Sequence, residues 1–444
     1  MTPSPETLLT PAAYDAAEKA AASKNCIRVN QAFFPEIFAA VGYPARVDSA
    51  DQLWRYIDVM HETRTNYNMD YLLFGLTPHE FELFKQVTGI VDKHAQAHYG
   101  RRAHATAALL RAIHVLRLIK VATGEARPPV LEIGPGCGYL AMLLVLEGYP
   151  YIGTDVAQAF YLYQSHMLSH VANLVELAAD DGDITTIETP KPGTAIHIPW
   201  WKWATLSPDK IKLTAGIMTC NHCLCEMHPS SVGYLAAVSS RILGNHPGGG
   251  WFVFDSWGYD LVHGEDTILA KFSEYGWRLC HNEIAVSGMA LAEHIKGWPV
   301  YGDTPAPGVA PLPAPSPSAP PELRIVELVN RFGIRRFVRA VFNRVPGLKA
   351  ALVRSLYSSR RTTPAAGPIA ITAAAVVSTP PTTRVPWFKG KNPLSQRLTE
   401  DRQAVITQAT IKLADIEAFL RQHFDDSIPP HPDEVFFDII GTRQ

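Results

Sequence analysis

The sequence has no long apolar run, no large net charge and no cysteine pattern typical of a secreted protein. None of its apolar runs is long enough to span a bilayer. The formal net charge of −2 at pH 7 argues against a basic nucleic-acid binder, so no nucleic-acid partner is expected. No signal sequence opens the chain, and the six cysteines lack the spacing of a disulfide scaffold. These absences together predict a cytoplasmic protein.

The chain is long and rich in apolar residues. Its 444 residues exceed one ordinary domain, and a hydrophobic content of 47% is ample for a core. The pattern predicts later strands over residues 194–198, 213–219 and 251–255, a last pair of strands within 279–296, and a helix over 398–424. We therefore expect an α/β domain with additions at both ends.

The most informative stretch is residues 128–155, where an apolar strand, a glycine-rich turn, an apolar helix and an acid-tipped second strand follow one another. Val130–Ile133 is the predicted first strand. Tyr139–Leu146 is apolar on nearly every side, which predicts a helix buried against the sheet. This order is one half of a doubly wound α/β nucleotide site. The helix N-terminus directs free amides at a ligand over the glycines, and the carboxylate of Asp155 can accept hydrogen bonds from both hydroxyls of a ribose.

The spacing of the glycines separates two classes of cofactor. A dinucleotide fingerprint requires Gly-x-Gly-x-x-Gly, but the third position here is Tyr139. Gly134, Gly136 and Gly138 instead follow Glu132 at alternate positions. This pattern resembles the first motif of class I S-adenosylmethionine (SAM) methyltransferases. The resemblance implies SAM as the cofactor, with Glu132 under the turn, the glycines under its amino-acid end and Asp155 on the ribose. A nicotinamide cofactor and a fold without cofactor are the alternatives.

A longer resemblance covers residues 105–258, about a third of the chain. They are similar to the bacterial family of sugar O-methyltransferases in three pieces, residues 131–140, 154–164 and 221–227. The family usually has Asp-Leu-Pro after the second strand, and this chain has Asp155-Val-Ala, which keeps the acid. The resemblance implies a Rossmann-like methyltransferase that methylates a hydroxyl of a sugar or glycan precursor. The alternatives are another small-molecule hydroxyl as acceptor, or a non-catalytic methyltransferase-like adaptor in glycan assembly.

The strand tips supply candidates for catalysis, because ligands of open α/β sheets bind at the carboxyl ends of the strands. A sugar hydroxyl is a poor nucleophile until a base draws off its proton, and His222, just after the fourth predicted strand, is the leading candidate base. Glu226, four residues on, would orient its imidazole if a helix starts there. Asp255 is the next candidate base. Asn221 is a further cofactor-binding candidate, suited to cap that helix. In the other interpretation His222 only bonds a turn carbonyl.

No metal site is predicted. Cys220, His222, Cys223 and Cys225 are metal-ligand types, but residues this close across a strand-to-helix turn cannot easily converge on one tetrahedral ion. A magnesium ion held by Asp255 and a substrate diol is an alternative that the sequence does not show.

Composition and resemblance divide the chain into four predicted parts: a helical cap (1–125), a SAM-binding catalytic domain (126–298), a Pro-rich linker with a basic segment (299–397), and a C-terminal helix and tail (398–444). Residues 323–361 carry many arginines against a single acid, Glu327, with apolar residues between them. Such a segment suits weak peripheral contact with an anionic inner-membrane face. A helical pair packed on its own domain is the alternative. The sequence does not indicate the oligomeric state.

Overall fold

The computed structural model describes residues 8–22, 46–54, 75–178, 184, 187–206, 210–221, 223–224, 227, 229–247, 250–255, 268, 271–282, 289–294, 400, 404–405 and 407–424. The chain divides into two compact units, Met1–Leu312 with Trp387–Gln444, and Pro313–Pro386. The second unit and the predicted basic segment, residues 323–361, lie outside the described residues. In the described part of the chain, no helix is long and apolar enough to cross a membrane.

One mixed sheet organises the first unit. Its strands are β1 Val130–Ile133, β2 Tyr151–Asp155, β3 Asn173–Glu176, β4 Thr194–Pro199, β5 Ile217–Cys220, β6 Trp251–Asp255, β7 Trp277–Asn282 and β8 Met289–His294. Their order across the sheet is β3-β4-β2-β1-β5-β6-β8-β7. The strands from β3 to β6 pair in parallel, whereas β8 runs antiparallel to both β6 and β7. The predicted α/β class with a Rossmann-like sheet is therefore confirmed.

Helices cover both faces of this sheet. They are α1 Pro11–Ala22, α2 Pro78–Tyr99, α3 Thr106–Thr123, α4 Tyr139–Leu146, α5 Gln158–Leu168, α6 Trp200–Trp203, α7 Pro229–Gly244 and α8 Leu413–Phe424. Because side chains alternate along a strand, Val130 packs in the cluster with α2 to α5, while Leu131 and Ile133 pack in the cluster with α7. The strand order reverses at β1, whose neighbours are β2 and β5. A ligand site is expected at such a switch point.

The region from β1 to β2 matches the sequence prediction closely. β1 and α4 have the predicted bounds, and Gly138 is the N-cap of α4. α4 is buried from Tyr139 to Val145, as its continuous apolar character requires. Elsewhere the edge strand β3 was not predicted. The strand expected over residues 213–219 is β5, Ile217–Cys220, and the helix after it begins only at Pro229.

The C-terminal helix is shorter than predicted. Residue Ile411 forms an antiparallel bridge with Leu76, so one continuous helix over residues 398–424 is wrong, and α8 begins at Leu413. α8 buries Ile416 and Leu420 in the same cluster as α2 and α3. The ring of its Phe419 lies 5.7 Å from that of Phe81. The long-range bridge interrupts the helix, since an extended residue cannot also continue a helical turn.

Four histidines meet where α2 packs against α5. His94 of α2 is fully buried, and its Nδ1 lies 3.0 Å from Nε2 of His170. The ring centroid of His94 lies 4.4 Å from that of His98 and 5.6 Å from that of His166. Burial, reinforced by the neighbouring imidazoles, lowers the pKa of His94 to about 2, and burial lowers the pKa of His166 and of His170 to about 4. These three side chains are therefore neutral at pH 7.

Candidate functional site

Four predicted site residues fall in one row at the carboxyl edge of the parallel strands. Ile133 is in register with Thr154 of β2 and Cys220 of β5, and Cys220 is in register with Phe254 of β6. The residues that follow these four positions are Gly134, Asp155, Asn221 and Asp255. Neighbouring strands lie about 4.8 Å apart, so the row spans the switch point at β1 in about 15 Å. The backbone thus brings together residues that are 121 positions apart in the sequence.

The glycine turn at the end of β1 requires its three glycines for different reasons. All three have positive φ, 62° at Gly134 and Gly136 and 74° at Gly138, a region that other residues enter at a cost. A Cβ on Gly134 would lie 2.9 Å from Cβ of Cys223, and one on Gly138 would lie 3.1 Å from Cγ of Gln164. A Cβ on Gly136 would meet nothing within 4 Å. Gly136 is therefore the position over which a ligand has room.

The carboxylate of Asp155 lies directly beside this turn. Its Oδ1 accepts a hydrogen bond from the Ala157 N–H at 2.9 Å, and its Oδ2 accepts one from the Gly136 N–H at 3.4 Å. Burial raises the pKa of Asp155, while these donors and the side chain of Gln164 oppose that rise. An ionised carboxylate has about four lone-pair sites, so Asp155 keeps accepting capacity for a further donor.

Gln164 of α5, which has no predicted role, joins Asp155 to the glycine turn. Its Nε2 donates to Gly136 O at 2.8 Å and to Asp155 Oδ2 at 3.0 Å. Its Oε1 is buried and accepts no hydrogen bond from any described residue. Only the structure reveals this role, since the residues of α5 are all buried and a buried amide needs partners.

Glu132 lies below the turn in β1 and is 2% exposed. Its Oε2 accepts a hydrogen bond from the Tyr151 hydroxyl at 2.9 Å. Burial raises the pKa of Glu132 to about 8, although the hydrogen bond from Tyr151 opposes the rise. At pH 7 this acid is therefore mostly protonated. Its hydrogen bond to Tyr151 joins β1 to the neighbouring strand β2.

Asn221 is the row residue that follows β5. Its Nδ2 donates to Thr219 Oγ1 at 3.0 Å, and its Oδ1 is buried without a hydrogen-bond donor in the described part of the chain. Helix α7 begins at Pro229, so Asn221 does not cap it. His222 and Glu226 lie outside the described residues. Asp255 ends β6, and its backbone pairs with Met289 of β8, but its side chain is not among those described.

A disulfide joins Cys220 and Cys223 at the same strand tip, with the two Cα atoms 6.2 Å apart. This bond was not expected from the sequence, because the six cysteines lack the spacing of a disulfide scaffold. Within the described ranges, no group of three or more His, Cys, Asp or Glu side chains could hold a metal ion. Cys223 of this pair packs beside the glycine turn, where a Cβ on Gly134 would lie 3.0 Å from its Sγ.

Helix α1 covers the neighbouring tips of β2 and β4. Trp200 Nε1 donates to Glu18 Oε1 at 2.7 Å, and Gln158 Nε2 donates to Asp15 Oδ1 at 2.7 Å. The ring of Tyr14 lies 4.9 Å from that of Trp201, and its buried hydroxyl has no hydrogen-bond partner among the residues described. Tyr14 is fully buried although α1 is rich in alanine, while Asp15 and Glu18 are partly exposed.

Comparison with known proteins gives structural neighbours only. No protein-family model and no curated protein sequence matches this chain. A glycopeptide N-methyltransferase shares 12% identity, covering 42% of this chain and 90% of its own, with a TM-score of 0.29. An amino pentose methyltransferase from Micromonospora echinaspora shares 14% identity, covering 42% of this chain and 90% of its own, with a TM-score of 0.28. A TehB-like SAM-dependent methyltransferase from Corynebacterium glutamicum shares 15% identity, covering 49% of this chain and 98% of its own, with a TM-score of 0.30.

Structures of the glycopeptide enzyme contain SAM, S-adenosylhomocysteine or sinefungin. The assignment of the fold of the present chain rests on the strand order and register described above.

Proposed function

We propose that this protein is a SAM-dependent O-methyltransferase that acts on a hydroxyl of a sugar or glycan precursor. The observation that carries the proposal is the row of Gly134, Asp155 and Asn221 across the switch point of a mixed α/β sheet. A glycine turn with room above it lies beside an acid at the neighbouring strand tip. This combination favours a ligand with an amino-acid end and a ribose, which SAM has.

The residues present fit such a ligand. Residues 134–138 would lie under the amino-acid end, near the N-terminus of α4. Asp155 would accept the ribose hydroxyls. The buried Oδ1 of Asn221 and Oε1 of Gln164 accept no hydrogen bond from any described residue. Because buried polar atoms are normally hydrogen-bonded, a bound ligand could supply the donors. Glu132 would act as a positioning residue under the turn. When bound, SAM supplies an electrophilic methyl group.

The chemistry of the acceptor requires a base. We assign this role to His222, which would take the proton from the acceptor hydroxyl, with Glu226 orienting its ring and Asp255 as the next candidate. His222 directly follows the row residue Asn221 in the sequence, and this adjacency supports the assignment. The sugar acceptor is supported by the resemblance of residues 105–258 to sugar O-methyltransferases.

The test of the cofactor is calorimetry with SAM on the intact chain and on Asp155→Ala. We expect this change to weaken binding by a few kcal/mol at most, the scale of hydrogen bonds to charged groups. Glu82→Ala, an exposed position on α2, is the control and should bind SAM as the native chain does. Native affinity in a folded Asp155→Ala protein would remove Asp155 from the site.

The test of the chemistry is His222→Ala. SAM affinity should stay near the native value, while methyl transfer to a panel of free and nucleotide-linked sugars falls roughly a hundredfold or more. If transfer barely falls, the base lies elsewhere, and Asp255→Asn is the next variant. Mass spectrometry of cell-surface sugars, with and without the protein, would identify the acceptor.

Failure of the intact chain to bind SAM would favour the non-catalytic adaptor. In either case residues 323–361 are predicted to give weak, salt-sensitive binding to anionic vesicles. A flotation assay tests this prediction: equal flotation of the intact chain and of a chain lacking residues 323–361 would contradict it.

A further inference from the structure

The disulfide between Cys220 and Cys223 lies within the proposed site. Cys220 ends β5, is fully buried and is in register with Ile133 of β1. Cys223 is partly exposed, and its Sγ lies 3.2 Å from the carbonyl oxygen of Ile133. The same sulfur would lie 3.0 Å from a Cβ on Gly134. One sulfur is therefore anchored in the sheet, and the other packs on the first residue of the glycine turn.

The bond encloses the two residues that the proposed function needs most at this strand tip. Asn221 and His222 lie between the cysteines, so the disulfide holds both ends of this segment against β1. Rigid positioning of a short segment reduces the free energy that is spent on ordering it when a ligand binds. Without the bond, only the β5 end of the segment stays fixed by the sheet.

We propose that Cys220 and Cys223 are a reversible dithiol–disulfide couple that controls the proposed SAM site. In the disulfide form the segment keeps Asn221 in the row with Gly134 and Asp155. In the dithiol form Cys223 is released from Cys220, and the site loses this positioning. The inference rests on the proposed function, but the couple has a readout of its own.

The exchange needs a small dithiol or disulfide as co-reactant. A thiolate of the dithiol attacks Sγ of Cys223, the more accessible sulfur, and the bond between the cysteines breaks. Cys220 leaves as a thiolate and takes up a proton. The second thiol of the reagent then attacks the mixed disulfide, so the reagent becomes a cyclic disulfide and Cys223 becomes a thiol. Two electrons and two protons pass from the reagent to the protein, and a small-molecule disulfide reverses the exchange.

The pair also differs from the other cysteines that the structure describes. Cys137 and Cys280 are buried and form no disulfide. Disulfides in a reducing compartment are usually transient or redox-sensing. A switch is therefore the use of this bond that agrees with the predicted cytoplasmic location.

The experiment equilibrates the full chain in mixtures of reduced and oxidised dithiothreitol. Alkylation followed by peptide mass spectrometry should show Cys220 and Cys223 losing protection together. Calorimetry should show SAM binding about tenfold weaker in the dithiol form, a typical coupling between two sites. C220S and C223S should each bind SAM at the weaker level in both buffers. Cys280→Ser is the control and should respond as the native chain does.

Hydrogen exchange gives a readout that needs no SAM. Reduction should increase deuterium uptake in residues 134–138 and 221–224. Equal SAM affinity in the two forms, unchanged exchange, or a bond that involves Cys225 instead would overturn the proposal. If neither form binds SAM, the proposed function fails, and hydrogen exchange alone then decides whether the couple controls this strand tip.

Discussion

Glu132 within β1 and the histidine cluster between α2 and α5 are both buried, and burial shifts their pKa values in opposite directions. It raises the pKa of Glu132 to about 8 and lowers that of His94 to about 2. Both groups are kept neutral, because desolvation penalises whichever form is charged. Their effects on stability therefore have opposite signs with pH.

The signs follow from which state of the protein binds more protons. Below the ordinary histidine pKa of 6.5, the unfolded chain protonates His94, His166 and His170, whose pKa values are lower in the folded chain, so stability falls as the pH falls. Above the ordinary glutamate value of 4.5, the unfolded chain ionises Glu132 while the folded chain does not, so stability falls as the pH rises to about 8. Between 4.5 and 6.5 the two effects oppose each other. Above 6.5 the effect of Glu132 acts without this opposition.

The largest expected effect comes from removing one histidine. His94→Gln keeps a polar side chain and removes the titration. The native chain loses about 1.4 kcal/mol per pH unit through each histidine that stays neutral, so the variant should lose about 3 kcal/mol less between pH 6.5 and 4.5. Urea unfolding at each pH measures this difference. His423→Gln, an exposed histidine on α8, is the matched control. If the free energy of unfolding falls equally with pH in the native and His94→Gln chains, His94 does not stay neutral in the folded state.

The second-largest expected effect concerns Glu132 and the loss of stability as the pH rises. Glu132→Gln mimics the protonated acid and can still accept the hydrogen bond of Tyr151. The variant should lack the loss of stability between pH 6.5 and 8, which is about 2 kcal/mol in the native chain.

Glu147→Gln is the control for this change. Burial acts to raise the pKa of Glu147, but hydrogen bonds from Lys120 and His79 outweigh burial and lower it. The contribution of Glu147 to stability is therefore present above pH 4.5 and lost in acid. Glu147→Gln should still lose stability between pH 6.5 and 8, as the native chain does. An alkaline loss that survives in Glu132→Gln would show that another group causes it.

The sequence was sufficient where structure is decided locally. The bounds of β1 and α4 follow from an apolar run, a glycine turn and a second apolar run. Strand β3 was missed because it is a short edge strand with Val175 exposed, so burial imposes no clear apolar pattern. The break before α8 depends on the bridge between Ile411 and Leu76, a contact that no local pattern reveals.

The candidate site divides in the same way. Gly134, Asp155 and Asn221 were found because each lies at or just after the end of a strand that the sequence indicates. Gln164 was missed because a glutamine in a helix usually faces solvent, and only the packing of α5 shows that this one is buried. The disulfide was missed because Cys-x-x-Cys at a strand end has several uses, and only the fold shows that the Cα atoms of Cys220 and Cys223 approach within 6.2 Å.

The smallest predicted effect concerns the hydroxyl that contacts Glu132. Tyr151→Phe removes the donor 2.9 Å from Oε2, which should lower stability by about 1 kcal/mol at pH 6, where the acid is neutral. Because this hydrogen bond favours the ionised acid, its loss should raise the pKa of Glu132 further. The alkaline loss of stability should then continue beyond pH 8 before it levels off. Tyr163→Phe removes another buried hydroxyl, 3.1 Å from that of Tyr139, and should cost a similar amount without moving the alkaline limb. If the alkaline loss of stability levels off at the same pH in both variants as in the native chain, Tyr151 has no influence on the titration of Glu132.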